Sequence, residues 1–530
     1  STFDLGLEDY TDTSRWMALD LDKVVDVALA TADAATGAKD SASAFGGLVV
    51  RNDVRSDVKA QVLGQAIDAT GDVQIGARQE SLILSLDTSV VQADTTGVNV
   101  VIATNTILGG TEALLANSTL TTAEDADNEQ AGDLSVTAEN TAFIVAELDS
   151  SVQASSSVGV VLAFNTIGYA PQNLLANIVD GILGTSLGDV STVSTTARVQ
   201  NTPSSLAGGL TVSSDWNGQI QATVLNSSLA LSMSTKGDSR AISVAPVVAM
   251  NKIAADVQAT VDETTRIEAG GDILIEAHSR TRIESEVAAS AIGISGSTSG
   301  KANSISVGLS LTRNDINSNA RAVALGRDGK ALELTSSGGD VRILSERDSA
   351  IVANGRATAV AVAASLSGSS LGVAGAGTLA VNQIAGANEA LAQWVHITTE
   401  AEPDSTGEQV AGHVEVAVAD HSLIDAMLRS VAAAVSVGLG GSAPAAALGL
   451  SVARNLIGVT AAATRRYDYK ASERDKSNPL IQLKAGDRVL VDSSLTGTDI
   501  YEYLGKTLDN PDGIDLVNQN YGDADQWKLV

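Results

Sequence analysis

Two acidic stretches have the residue types and spacing to hold a hard cation. EDADNEQ carries Glu124, Asp125, Asp127, Asn128 and Glu129 just before the apolar run GDLSV, and DNPDGID carries Asp509, Asp512 and Asp515 around Gly513. Calcium takes about six to eight oxygen ligands from flexible loops, and alternating Asp and Asn supplies them. Calcium is thus the one cofactor the residues suggest, set against a plain solvated acidic turn at each place. Of the four histidines, His278, His396, His413 and His421, only the last two lie close together, in GHVEVAVADH. Their even separation puts both on one face of a strand, if one strand runs that far. No HExxH, GxSxG or Walker-type motif occurs, and the chain has no cysteine to serve as nucleophile, disulfide partner or thiolate ligand. The residues predict no enzyme.

The elements that must position these residues follow from composition. Apolar residues make up 44% of the 530, yet Phe, Trp and Tyr together only 3%. A thick globular core would use more large rings. Ala, Val, Leu and Ile with much Gly and Ser suit a narrow interior repeated many times. The net charge of −30 is uneven, with 14 acidic and no basic residues between Arg78 and Arg198. Nucleic acid and anionic membrane surfaces need basic patches, so neither is an expected partner. Residues 357–381 carry no charge, but their alternation and their Ser, Thr and Gly content predict buried strands and no membrane span.

Two phrases alternate along the chain. The first is Gly, usually Asp, then apolar–x–apolar, at Gly71, Gly132, Gly208, Gly271, Gly339, Gly412 and Gly486. The second sets an asparagine after an apolar run: Asn52, Asn105, Asn165, Asn251, Asn314, Asn382 and Asn455. Alternation at period two, bounded by Gly, Asn and Asp, predicts strands. The glycine is expected to take positive φ at a corner and the Asp to close the turn through its own side chain. The absence of two-residue hairpin signals between strands points to a parallel β-solenoid. Each repeat would supply about three coils of roughly 20–25 residues, and some 20 coils at about 4.8 Å give a rod on the order of 100 Å long. The asparagines are expected at equivalent corners, where amides could stack into a ladder.

The ends differ in character. DLGLEDYTDTSRW near the start and DLVNQNYGDADQW near the end share Asp, Leu, Tyr, Asp and Trp at matching places, including Tyr10 with Tyr521 and Trp16 with Trp527. With Tyr501 and Tyr503 of IYEYLG, these residues form a candidate aromatic junction for assembly. The expected organisation is the end of a preceding junction and a lead-in over 1–40, a solenoid of about seven repeats over 41–465, and a junction module over 466–530. The first copy of the junction lacks its own YEYLG, so the chain reads as one segment cut from a longer repeating array. Residues 17–40 read equally as a helix or as a first coil.

AGDLSVTAEN, AGGDILIEAHS and VLAFNTI resemble repeats of very large bacterial surface and secreted proteins, the filamentous-haemagglutinin-like adhesins and LEPR-XLL-type giants. DIYEYLG followed by DLVNQNYGDADQW is similar to a junction phrase in the same giants. The resemblance covers most of residues 40–530. It implies an all-β, right-handed parallel β-helix, location outside the cell or on its surface, and adhesive or fibre-forming roles, with copies of itself, other cells or surfaces as partners. The nonapeptide GGxGxDxUx of calcium-binding relatives is absent. The resulting expectation is a structural filament unit, assembled end to end or in tandem. An adhesin stalk and a β-helix enzyme acting on polysaccharide are the alternatives.

Overall fold

The computed structural model describes residues 42–123, 132–169, 191–326, 330–400, 402–403, 409–410 and 412–458, and then 469–471, 480–483, 488–493, 497–505, 508–517, 519 and 526–529. The chain divides into two compact units, 1–457 and 458–530. The first is all-β among its described residues, and its three main sheets are parallel throughout.

The first sheet holds six long strands, Val73–Gln92, Leu134–Ala154, Leu210–Ser234, Ile273–Ser297, Val341–Ser365 and Val414–Gly438. Each opens at a Gly–Asp phrase or its variant, and each pairs in register with its equivalent one repeat later. The second sheet holds the asparagine strands, among them Ser43–Arg55, Thr96–Leu108, Ser239–Asp262, Ala302–Leu325 and Ala445–Ile457. A third holds short strands such as Arg266–Ala269 and Leu332–Ser336. In every circuit the chain visits the sheets in this order and then returns to the first. The candidate span 357–381 lies on two of these strands, and among the described residues no helix is long and apolar enough to cross a membrane.

One repeat is therefore one circuit. The expected three coils per repeat are overturned by the register, in which Asn251 stands beside Asn314 and Asn314 beside Asn382. The seven asparagine levels rise only about 29 Å at about 4.8 Å each, while a 25-residue strand has a contour length of about 80 Å. Period two identifies a strand but not its partner, and that is how the short-coil reading arose. The seventh Gly–Asp phrase, at Gly486, belongs to the second unit, where it precedes the antiparallel strand Arg488–Ser493.

The Gly–Asp phrase works between circuits. Asp133 N donates to Asp72 Oδ1 (3.0 Å), Gly209 N to Asp133 Oδ1 (2.7 Å), Asp340 N to Asp272 Oδ1 (2.7 Å) and His413 N to Asp340 Oδ1 (2.8 Å). These carboxylates bridge to the next circuit, where the sequence suggested a self-closed turn. None of the described phrase glycines has positive φ. Several are needed for close approach: a Cβ on Gly132 would lie 2.9 Å from Gly71 O, and one on Gly412 would lie 2.7 Å from Gly339 O, whereas one on Gly71 would meet nothing within 4 Å. The left-handed corner is elsewhere, at Gly64, Asn117, Asn201, Glu263 and Trp394, each just past the last paired residue of a second-sheet strand.

The interior is enclosed by the inward faces of the three sheets, the third contributing Leu120, Ile267 and Leu334. A single isoleucine column, Ile83–Ile144–Ile220–Ile283–Ile351–Ile424, runs through all six strands of the first sheet. Trp216 is the largest fully buried side chain.

In the second unit, four strands including Arg488–Ser493, Gly497–Tyr503 and Trp527–Leu529 form one sheet, and Leu480–Leu483 pairs with Leu508–Ile514 in another. Its core gathers Leu483, Val489, Tyr503, Ile514, Leu516 and Trp527.

Candidate assembly surface

The asparagines form one continuous chain of amide hydrogen bonds. Asn52 Nδ2 donates to Asn105 Oδ1, Asn105 to Asn165, Asn165 to Asn251, Asn251 to Asn314 (each 2.8 Å), Asn314 to Asn382 (2.8 Å) and Asn382 to Asn455 (2.9 Å). The five inner residues are fully buried. They sit inside strands, three or four residues before Gly109, Gly168 and Gly386 where those positive-φ bends occur. The corner asparagines are instead Asn117 and Asn201, joined by their own bond of 2.8 Å. Inside the sheet an amide can donate to the circuit above and accept from the one below, so no buried polar group is left over.

Every link points the same way. Asn52 Oδ1 accepts no bond and Asn455 Nδ2 donates none among the described contacts. These two residues lie on the outermost strands, each paired on one side only among the described residues. The last strand of the second sheet is exposed nearly throughout and that of the first alternates exposed with half-buried residues, with Val416, Val418, Leu448, Leu450 and Val452 all open to solvent. Edge strands with unpaired backbone groups are templates for further pairing.

No protein-family model, curated protein or solved structure matches this chain.

The other candidate residues are distributed as follows. Tyr503 and Trp527 meet in the second unit's core, with centroids 5.1 Å apart at 59°. Tyr501 lies on the same strand as Tyr503, opposite Leu529 of the neighbouring strand. Tyr10, Trp16 and Tyr521 lie outside the described residues, as do 17–40 and the whole of Glu124, Asp125, Asp127, Asn128 and Glu129. Asp509 and Asp512 are on the strand Leu508–Ile514, and Asp515 follows it, its Oδ1 accepting from Val517 N at 3.0 Å. His413 precedes the strand that carries His421, and their separation of eight positions sets the two about 26 Å apart.

Charged groups that the spacing did not single out are paired both between circuits and within single strands. Arg347 points inward and is buried, with Nε donating to Asp420 Oδ2 (2.9 Å) and NH1 to the carbonyls of Ser318 and Ala385 (both 3.2 Å). On the outward face of the second sheet, Arg313 donates to Asp315 (2.8 Å), and Lys252 lies 5.6 Å from the centre of the Tyr169 ring. Burial, with Asp315 adding and Arg313 opposing, raises the Tyr169 hydroxyl well above its ordinary pKa. On the outward face of the first sheet, His278 is hydrogen-bonded to Glu276. That bond raises the imidazole and lowers the carboxylate, with burial opposing both shifts. Register was the missing signal for Arg347 with Asp420 and for Lys252 with Tyr169, which lie one circuit apart; Arg313–Asp315 and His278–Glu276 are each two residues apart on one strand.

Proposed function

We propose that the chain is a structural unit of an extracellular filament, and that its parallel sheets wind as a right-handed β-solenoid, the hand favoured for parallel crossovers. Units associate head to tail, the last circuit of one copy receiving the first circuit of the next. The observation that carries this reading is the one-directional amide chain, with a donor unfilled at one end of the sheets and an acceptor unfilled at the other. Stacking two copies in register would continue the chain without reversing a single amide. Such a contact is heterologous and does not close on itself, so it propagates. The high acidic charge favours solubility of the unpolymerised unit.

The test is sedimentation velocity with negative-stain microscopy across a concentration series, on the full chain and on a variant with Val418→Lys and Leu450→Lys. Rods that lengthen with concentration in the parent and not in the variant are expected. A single monomeric species at every concentration in the parent would sink the reading.

A further inference from the structure

The outward face of the first sheet brings together three groups from two adjacent circuits. Glu346 and Asp348 are two residues apart on Val341–Ser365 and so share a face. The register sets Asp348 beside His421 of the edge strand Val414–Gly438. His421 Nδ1 is 3.0 Å from Asp348 Oδ1, and one ligand atom from each of Glu346, Asp348 and His421 lies within 4.8 Å of the other two. On the far side of Glu346, His278 Nδ1 approaches Glu346 Oε2 at 3.5 Å while its Nε2 is held by Glu276 at 3.3 Å. Arg280, the other neighbour of Asp348 in the register, is engaged with Asp215. Among the described residues, the ion-pair partners of Glu346 and Asp348 are histidines only.

We propose that Glu346, Asp348 and His421 form a binding site for a divalent transition-metal cation, zinc being the best match. One imidazole nitrogen and two carboxylate oxygens are ligands zinc accepts at about 2.0–2.2 Å, with the remaining position left to water. The imidazole selects against calcium and magnesium, which prefer all-oxygen sets. His421 is exposed and Glu346 and Asp348 are half-buried, so closing the ligands around an ion needs side-chain rotation alone. His278 is a positioning residue: it holds Glu346 from behind, as outer partners of ligating carboxylates do. The site bridges the last two strands of the first sheet, so a bound cation ties the terminal circuit to the one before it. This inference is independent of head-to-tail assembly.

The test is isothermal titration of zinc into the full chain, prepared without a histidine tag, followed by thermal melts with and without the metal. One zinc per chain and a raised melting temperature are expected, with calcium giving neither. His421→Ala and Glu346→Gln should abolish saturable binding, His278→Ala should weaken it about tenfold or more, and His413→Ala should leave it intact. All four positions are at least partly open to solvent, so the metal-free melting temperature of each variant should match the parent and serve as the folding control. Absence of saturable zinc binding in the parent, or binding that survives His421→Ala, would overturn the proposal.

Discussion

The first and last ten residues of each long strand face one interior but line it differently. Toward the start, the inward side chains are large: Leu134, Leu210, Ile273 and Val341 at one level, then Trp216 and the isoleucine column. Toward the end of the later strands, Ile273–Ser297 and Val341–Ser365, they are Ala, Ser and Gly, as in Ala357, Ala359, Ala361 and Ala363, facing Ala374 and Ala376 across the interior. In that half the two sheets come so close that a Cβ on Gly308 would lie 2.6 Å from the Thr358 carbonyl. One half is held by the volume of its side chains and the other by the nearness of its backbones. A cavity is the characteristic fault of the first, and overfilling that of the second.

Substitutions in the two halves should therefore fail in opposite directions. The largest effect is expected from Trp216→Ala, a loss of about 3–5 kcal/mol in urea unfolding, because the ring is fully buried in the wide half. Asn251→Ala should follow, at about 2–4 kcal/mol, since it strands a buried donor on Asn165 and a buried acceptor on Asn314 at once. If the loss were no more than that of an exposed Asn→Ala control, the amide chain would have no role in stability. Gly308→Val in the narrow half should cost about 1–3 kcal/mol by overpacking, where the same added volume on an outward face would cost little. Ser304→Ala should be neutral or stabilising by up to about 1 kcal/mol, because the Ser304 hydroxyl is buried there without a partner. A clear loss would mean that the narrow half depends on its hydroxyls.

The smallest effect concerns pH. Asp340 is held below its ordinary pKa, first by the hydrogen bond from Arg342 and then by the backbone N–H of His413. A depressed carboxylate contributes stability above the pKa it has in the unfolded chain. That contribution is lost as pH falls through the lower folded value, below about pH 4. Asp340→Asn keeps an acceptor for His413 but cannot titrate, so its acid unfolding should be shallower below pH 4 than the parent's. Identical acid curves would remove the carboxylate from the account.

Much of this was legible before any coordinates. Period-two alternation marked GDILIEAHS and GDVRILSER as strands, and the two recurring phrases fell on two different sheets. Composition identified the narrow interior but not that only half of it is narrow. Pairing distance was hidden because a strand carries no local mark of its partner. Strand length was hidden too: in Thr96–Leu108 both faces are apolar around Val98, Val101 and Ile102, which blurs alternation where the strand continues. The isoleucine column and the Asp348–His421 pair were within reach, since each recurs at a fixed offset from the Gly–Asp phrase. Only aligning the repeats against one another would have exposed them.

The distance between paired residues bears on how such a chain can fold. Neighbouring asparagines are from 53 to 86 residues apart, so no rung of the amide chain can form until a whole circuit is available. Contacts of this separation are slow to nucleate. Once one circuit exists, its edge is a template, and each later circuit has only to lie down on it. The closure entropy of the longest circuit exceeds that of the shortest by only about 0.4 kcal/mol, because it grows with the logarithm of length. A lineage could therefore lengthen a connection by some thirty residues with almost no penalty in stability. It could not shift a strand by one residue without turning every inward side chain outward.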